Sequence, residues 1–142
     1  IDQMLTGTAS QLATLALETA LKVFEDVDMN LLRQKNMALG DLFIALVEQE
    51  LGGMNFELAS PKEAEHRGSQ VSLIHEEGYA IMQAVIARGI IGDFRAPDIL
   101  RFGFASPYVR YIDIWDSIAH LRDVMEMREW DQPKFKERRA VT

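Results

Sequence analysis

The chain has 142 residues, 48% hydrophobic and 26% charged, close to the average of soluble globular domains, so disordered, collagen-like and coiled-coil classes lose their compositional support and about one domain is expected. It contains no cysteine, which excludes a disulfide scaffold, a thiolate metal site and a cysteine nucleophile together. The net charge of -7 argues against a nucleic-acid surface, because phosphate binding needs a concentrated basic footprint.

The chain opens on Ile1 rather than methionine, and residues 1–10 have neither the basic start nor the apolar run of a signal peptide. They read as the middle of a longer chain. Ser10 is the expected N-cap of a first helix, in which Leu12, Leu15, Ala16, Leu17, Leu21 and Phe24 recur at helical spacing to about residue 25. Asp28 caps a second helix, whose stripe of Leu32, Leu39, Leu42, Phe43, Leu46 and Val47 stops at Gly52-Gly53. Gly40 inside that helix costs roughly 1 kcal/mol relative to alanine, so either close packing compensates or the helix is locally weak.

Past Gly53 the period changes. Met54, Phe56 and Leu58 alternate with Asn55 and Glu57, the pattern of a strand with one buried face. Residues 60–69 are polar and turn-rich, residues 71–74 make a second strand, residues 76–88 a third helix stopped by Gly89, and residues 90–94 a third strand. After the Ala96-Pro97-Asp98 turn, Leu100, Phe102 and Phe104 share one strand face while Ile99, Arg101 and Gly103 share the other. Asp113 as N-cap and Asp116 in the first turn lead the last helix, through Ile114, Ile118, Leu121 and Met125. Pro133 marks the expected end of the packed part. The expected fold is α/β or α+β, a small mixed or antiparallel sheet covered by helices.

No apolar stretch approaches the roughly 20 residues of a membrane span, since charged residues interrupt each candidate, so no membrane association is expected. The tail from Arg128 carries five basic residues against three acidic ones, leaving -9 on the rest; a solvated terminus or a contact with an acidic partner would both suit it.

The chain contains no Gly-rich phosphate loop, G-x-S-x-G elbow or H-E-x-x-H helix. His66, His75 and His120 are not at metal-ligand spacing, so no metal is expected. His75, at a strand-to-helix junction, suits an exposed helix N-terminus. The plentiful carboxylates fall where caps and solvated helix faces place them.

Arg101 is the sharper candidate. A planar guanidinium held on a rigid strand, with Gly103 leaving room beside it, can grip a carboxylate bidentately; an ordinary salt bridge is the alternative. Asp93 and Arg95 share a strand face and suit an ion pair or loop anchor. Gly7-Thr8, just ahead of a helix, can offer amides and hydroxyls to an anion, or serve as plain capping residues.

Three longer segments carry a resemblance. Arg67-Gly68-Ser69-Gln70-Val71-Ser72-Leu73, Gly78-Tyr79-Ala80-Ile81-Met82-Gln83-Ala84 and Ile91-Gly92-Asp93-Phe94-Arg95-Ala96-Pro97-Asp98-Ile99-Leu100-Arg101-Phe102-Gly103-Phe104 resemble the C-terminal third of the bacterial kynureninase family. The likeness extends through Pro107-Tyr108, Asp113-Ile114-Trp115 and Glu129-Trp130-Asp131, and back through Gly7-Thr8.

The resemblance implies the small C-terminal domain of the aspartate-aminotransferase-like fold and a cytoplasmic homodimer that depends on pyridoxal 5'-phosphate. The implied reaction hydrolyses L-kynurenine, or its 3-hydroxy analogue, to anthranilate, or 3-hydroxyanthranilate, and L-alanine in tryptophan degradation. It implies that Arg101 grips the substrate α-carboxylate, that Gly7 lies near the substrate's aromatic end, and that Thr8 contacts the cofactor phosphate, across the dimer interface. None of the five lysines, Lys22, Lys35, Lys62, Lys134 and Lys136, matches the family's cofactor lysine. On that basis no catalytic residue lies within these 142 residues, and they are expected to be inactive and cofactor-free by themselves. The implied division is residues 1–10 continuing from a large domain, 11–52 connecting helices, 53–127 the small domain and 128–142 a tail. Another class V aminotransferase-like enzyme and a non-catalytic dimerisation domain stand as alternatives.

Overall fold

The computed structural model describes Gly7 and residues 10–137. Helix α1 (Gln11–Leu21) begins at Ser10, whose hydroxyl accepts the Ala13 N–H at 3.4 Å, and runs on into a short 3-10 turn at Lys22–Phe24. Helix α2 (Met29–Glu50) is capped by the Asp28 carboxylate, which accepts from the amides of Asn30 at 2.8 Å and Leu31 at 3.3 Å. Both caps supply an acceptor to amides that the first turn of a helix leaves unpaired. Gly53, at φ 85°, takes the left-handed conformation that lets the chain leave α2.

Four strands come next, β1 (Glu57–Leu58), β2 (Gln70–Ile74), β3 (Asp93–Arg95) and β4 (Ile99–Gly103), with α3 (Gly78–Ala87) between β2 and β3. They pair in the order β1-β2-β4-β3, each neighbour antiparallel, so the sheet is wholly antiparallel rather than mixed. Helix α4 (Tyr111–Glu126) and the single-turn α5 (Pro133–Lys136) complete the domain. This is a mixed α/β architecture.

The period of two in the central strands sorts their side chains cleanly. Val71 and Leu73 of β2 lie opposite Phe102 and Leu100 of β4, and all four are buried. Leu39, Phe43 and Val47 of α2, Ile81 and Val85 of α3, and Ile114, Ile118 and Leu121 of α4 close over them in one core. The C-terminal half of α2 is thus part of the same core as the sheet. The opposite sheet face carries Gln70, Ser72, Asp93, Arg95, Arg101 and Gly103, none of which belongs to the hydrophobic core.

Several boundaries differ from expectation. The alternation over residues 54–58 yields only the Glu57–Leu58 ladder, because Asn55 sits at φ 60° and breaks the extended chain. β3 starts only at Asp93, and the Gly92 before it sits where a Cβ would run into the Met82 side chain and the Arg101 carbonyl. In α4, Arg110 is the N-cap; Asp113 is the third helical residue and reaches back to accept the Arg110 amide at 2.7 Å. Packing also continues beyond Pro133, where Phe135 is buried in the core.

Candidate functional site

The polar sheet face is where this fold concentrates charge on a rigid support. Arg101 projects from the middle of β4, flanked on its own face by Ile99 and Gly103 and directly opposite Ser72 on β2 and Asp93 on β3. Its Nε donates to Oδ2 of Asp93 at 2.6 Å, and Nη2 donates to the same oxygen. Arg95 also reaches that oxygen, with Nε at 3.2 Å. One carboxylate therefore sits between two guanidinium groups. The Arg101 side chain is 30% exposed, against 48% for Asp93 and 63% for Arg95, so it is the best sheltered of the three.

Asp93 and Arg95 form the ion pair that their spacing suggests, and Arg101 takes part in it too. That extra partner lies eight residues on, across the β3-β4 hairpin, where a local pattern does not look. Arg101 keeps Nη1 without a protein acceptor among the described residues. Beside it Gly103 is open: a Cβ built there meets only the Ser69 carbonyl, at 4.0 Å. On the β2 side, Gln70 Nε2 donates to the Ser72 hydroxyl at 3.0 Å. The face thus combines a partly sheltered cation, free guanidinium hydrogens and neutral polar neighbours, the chemistry that takes a carboxylate.

The segment leaving β4 is held from α2. Lys35 Nζ donates to the Ser106 carbonyl at 2.7 Å, and the buried Asn36 Nδ2 donates to the Phe104 carbonyl at 3.3 Å. Two clefts meet at this segment. One of about 770 Å³ lies on the helix side, with Phe102, Tyr108, Asp116 and His120 in its lining. A shallower one of about 540 Å³ shares Gly103, Phe104, Ala105 and Tyr108 with it. Arg101 lines neither.

Arg67, which the sequence suggests only as part of a turn with backbone demands, is a buried anchor. Its side chain is 3% exposed, and it donates to the carbonyls of Pro61 and Lys62 and to the Asp41 carboxylate. It thereby ties residues 61–67 to α2. Nothing in a local pattern reveals a partner 26 residues away.

His75 is the junction residue its position suggests. Its Nδ1 accepts the Glu77 amide at 3.0 Å at the start of α3, and its ring packs on Phe56. Burial pushes the imidazole below its ordinary value, while a hydrogen bond with the Met54 backbone and the carboxylates of Glu76 and Glu77 pull the other way. Among the described residues no group of three His, Asp or Glu side chains could hold a metal ion, and no helix is long and apolar enough to cross a membrane.

Gly7 is exposed, with open space where a Cβ would stand. Thr8 lies outside the described residues. The lysines stand elsewhere than on the polar sheet face: Lys35 binds Ser106, Lys62 pairs with Glu48, Lys136 pairs with Asp131, Lys134 lies over Phe135, and Lys22 is in the turn after α1.

Residues 32–121 match the family model described as Kynureninase C-terminal domain. Over all 142 residues the chain is 45% identical to the kynureninase of Burkholderia mallei (strain SAVP1) and to that of Burkholderia pseudomallei (strain K96243). It is 43% identical over 142 residues to the kynureninase of Pseudomonas fluorescens. In each case 100% of this chain is covered but 34% of the relative, so the chain spans about a third of the length of the curated relatives it matches.

Proposed function

The chain belongs to the kynureninase C-terminal domain family, and from that premise we propose that it serves as the substrate-clamping domain of an enzyme that hydrolyses L-kynurenine or 3-hydroxykynurenine. The products would be anthranilate or 3-hydroxyanthranilate and L-alanine, formed by a pyridoxal-phosphate-dependent, cytoplasmic homodimer in tryptophan degradation. The observation that carries the proposal is Arg101: a guanidinium on a central strand, 30% exposed, with Nη1 unpaired among the described residues, on the sheet face opposite the core. An α-carboxylate docked there would fix the amino-acid end of the substrate while the reacting bond is presented elsewhere.

The described residues do not by themselves fit the cofactor, because no lysine stands on the polar sheet face and those with polar partners are engaged remotely from it. The electron sink that pyridoxal phosphate provides in such chemistry is therefore assigned to the part of the relatives' length that this chain does not span, and the 142 residues alone are expected to give neither cofactor absorbance nor turnover. Gly7 near the aromatic end of the substrate and Thr8 at the cofactor phosphate, contributed across a dimer interface, belong to the same proposal.

The test is kinetic. In the full-length enzyme loaded with cofactor, Arg101→Ala should raise KM for kynurenine at least tenfold, in keeping with the loss of a bidentate charge-assisted pair worth about 1.5–3 kcal/mol. Anthranilate fluorescence reports the reaction. An unchanged KM would remove the clamp role, and no anthranilate from the wild-type enzyme would remove the substrate assignment.

A further inference from the structure

The role assigned to Asp93 rests on the reading of Arg101 as a carboxylate clamp and deepens it. A guanidinium has two edges that can hold a carboxylate: the side edge of Nε and one Nη, and the end formed by both Nη groups. Asp93 occupies the side edge alone, through the single oxygen Oδ2, 2.6 Å from Nε. Nη2 carries two hydrogens, so among the described residues one remains after the bond to Asp93, and both hydrogens of Nη1 remain. The end of the fork is left whole for a second carboxylate.

Charge settles whether a second carboxylate would come. Asp93 paired with Arg101 alone would be neutral and would attract no anion. Arg95, 3.2 Å from the same oxygen, brings the trio to a net charge of one positive. The fold makes this arrangement local: Asp93 lies directly opposite Arg101 in the antiparallel pair, and Arg95 lies two residues on, opposite Ile99 on the same face. Gly92 lets β3 come this close, since a Cβ there would stand 3.0 Å from the Arg101 carbonyl.

We propose that Asp93 is the positioning residue of the Arg101 clamp, holding the guanidinium by its side edge so that its end stays presented to a ligand carboxylate, and that Arg95 supplies the balancing charge. Asp93 acts through Arg101 and touches no reacting atom. Because it is half exposed, its substitution leaves the core intact.

The experiment uses the full-length enzyme loaded with cofactor. Asp93→Asn should raise KM for kynurenine, and Kd for L-alanine followed by the cofactor's spectrum, by about tenfold, the loss falling mainly on KM rather than kcat. Asp93→Glu should recover part of that loss, and Arg95→Gln should weaken L-alanine binding by a smaller factor that shrinks with added salt. Adding Asp93→Asn to Arg101→Ala should cost nothing further, because the positioned group is gone. If Arg101→Ala weakens binding but Asp93→Asn leaves KM and Kd within twofold, or lowers kcat alone, the positioning role is wrong while the clamp stands. If Arg101→Ala changes neither constant, both are wrong. A thermal melt of Asp93→Asn matching the wild type shows that any loss is not unfolding; should that variant melt early, the same comparison of KM and Kd is made with Asp93→Glu and Arg95→Gln, and unchanged values there overturn the proposal.

Discussion

The Arg67 guanidinium lies over Gly40 of α2, so that a Cβ built on the glycine stands 3.5 Å from Nη2 and 3.6 Å from Nε. Those are ordinary contact distances. The helix can therefore carry a methyl group at this position but nothing larger without moving the arginine that ties residues 61–67 to α2.

Two substitutions at Gly40 should consequently differ in sign. Gly40→Ala removes the backbone entropy penalty of a helical glycine and is expected to be neutral or to stabilise by up to about 1 kcal/mol. Gly40→Leu must displace Arg67 from two carbonyls and a carboxylate and should cost roughly 2–3 kcal/mol. Thermal melts of the two variants beside the wild type check this, and a Gly40→Leu protein as stable as the parent would show that Arg67 has other room.

A tighter approach occurs at Gly92, where a Cβ would stand 2.6 Å from Met82 Cε, 2.7 Å from its Sδ and 3.0 Å from the Arg101 carbonyl. The methionine end can swing away, but the carbonyl belongs to the central strand and cannot. Gly92→Ala is expected to destabilise by about 1–3 kcal/mol, as overpacking does, and to loosen β3 against β4. Faster amide exchange at Asp93 and Arg95, whose partners across the ladder are Arg101 and Ile99, without a comparable change at Leu73 is the local signature; uniform protection would contradict it.

These contacts show what local patterning can and cannot convey. The two faces of β4 were legible because a strand alternates strictly: Leu100 and Phe102 went to the core, and Arg101 and Gly103 to the open face. Ser10 and Asp28 were legible as caps for the same reason, a short-range demand for an acceptor at a helix start. The hidden features depend on partners distant in sequence or on close approach in space. Asn36 meets the Phe104 carbonyl 68 residues away, Arg67 meets Asp41, and Gly92 sits where a Cβ would collide with Met82. Phe135 is buried beyond a proline and amid charges, where composition suggests a solvated tail. At the candidate site, the strand pattern singled out Arg101, but its sharing of Asp93 with Arg95 arises only once the hairpin is closed.

His75 predicts an acid-side loss of stability. Its imidazole is held below its ordinary value by burial, so the unfolded chain binds a proton more readily than the folded one. The stability this residue contributes is complete above the unfolded value near 6.5 and is lost as pH falls from there through the lower folded value. Proton uptake would also break the acceptor role of Nδ1 toward Glu77. Urea unfolding of wild type and His75→Gln between pH 7.5 and 5 isolates the effect from the carboxylates common to both. The wild-type protein should lose more stability over that range, and parallel curves would show that the histidine is not the titrating group.

Helix α1 holds Leu12, Leu15, Leu17 and Leu21 at 79%, 59%, 58% and 55% exposure, with no residue of the helix buried. An isolated helix of fewer than about 12–15 residues is marginal in water, and α1 has 11, so a helix here needs a partner to cover its leucines. Each leucine buried against an apolar surface contributes roughly 1.5–3 kcal/mol, so the four together supply roughly 6–12 kcal/mol, a range that includes the roughly 8 kcal/mol of micromolar association. The chain by itself should therefore sediment as a concentration-dependent mixture of monomer and larger species. Leu12→Glu combined with Leu15→Lys should shift that mixture toward monomer while leaving the melting of the core, which contains neither residue, within about 0.5 kcal/mol of the parent. A single monomeric boundary at every concentration up to the solubility limit would show that these leucines do not act as an association surface.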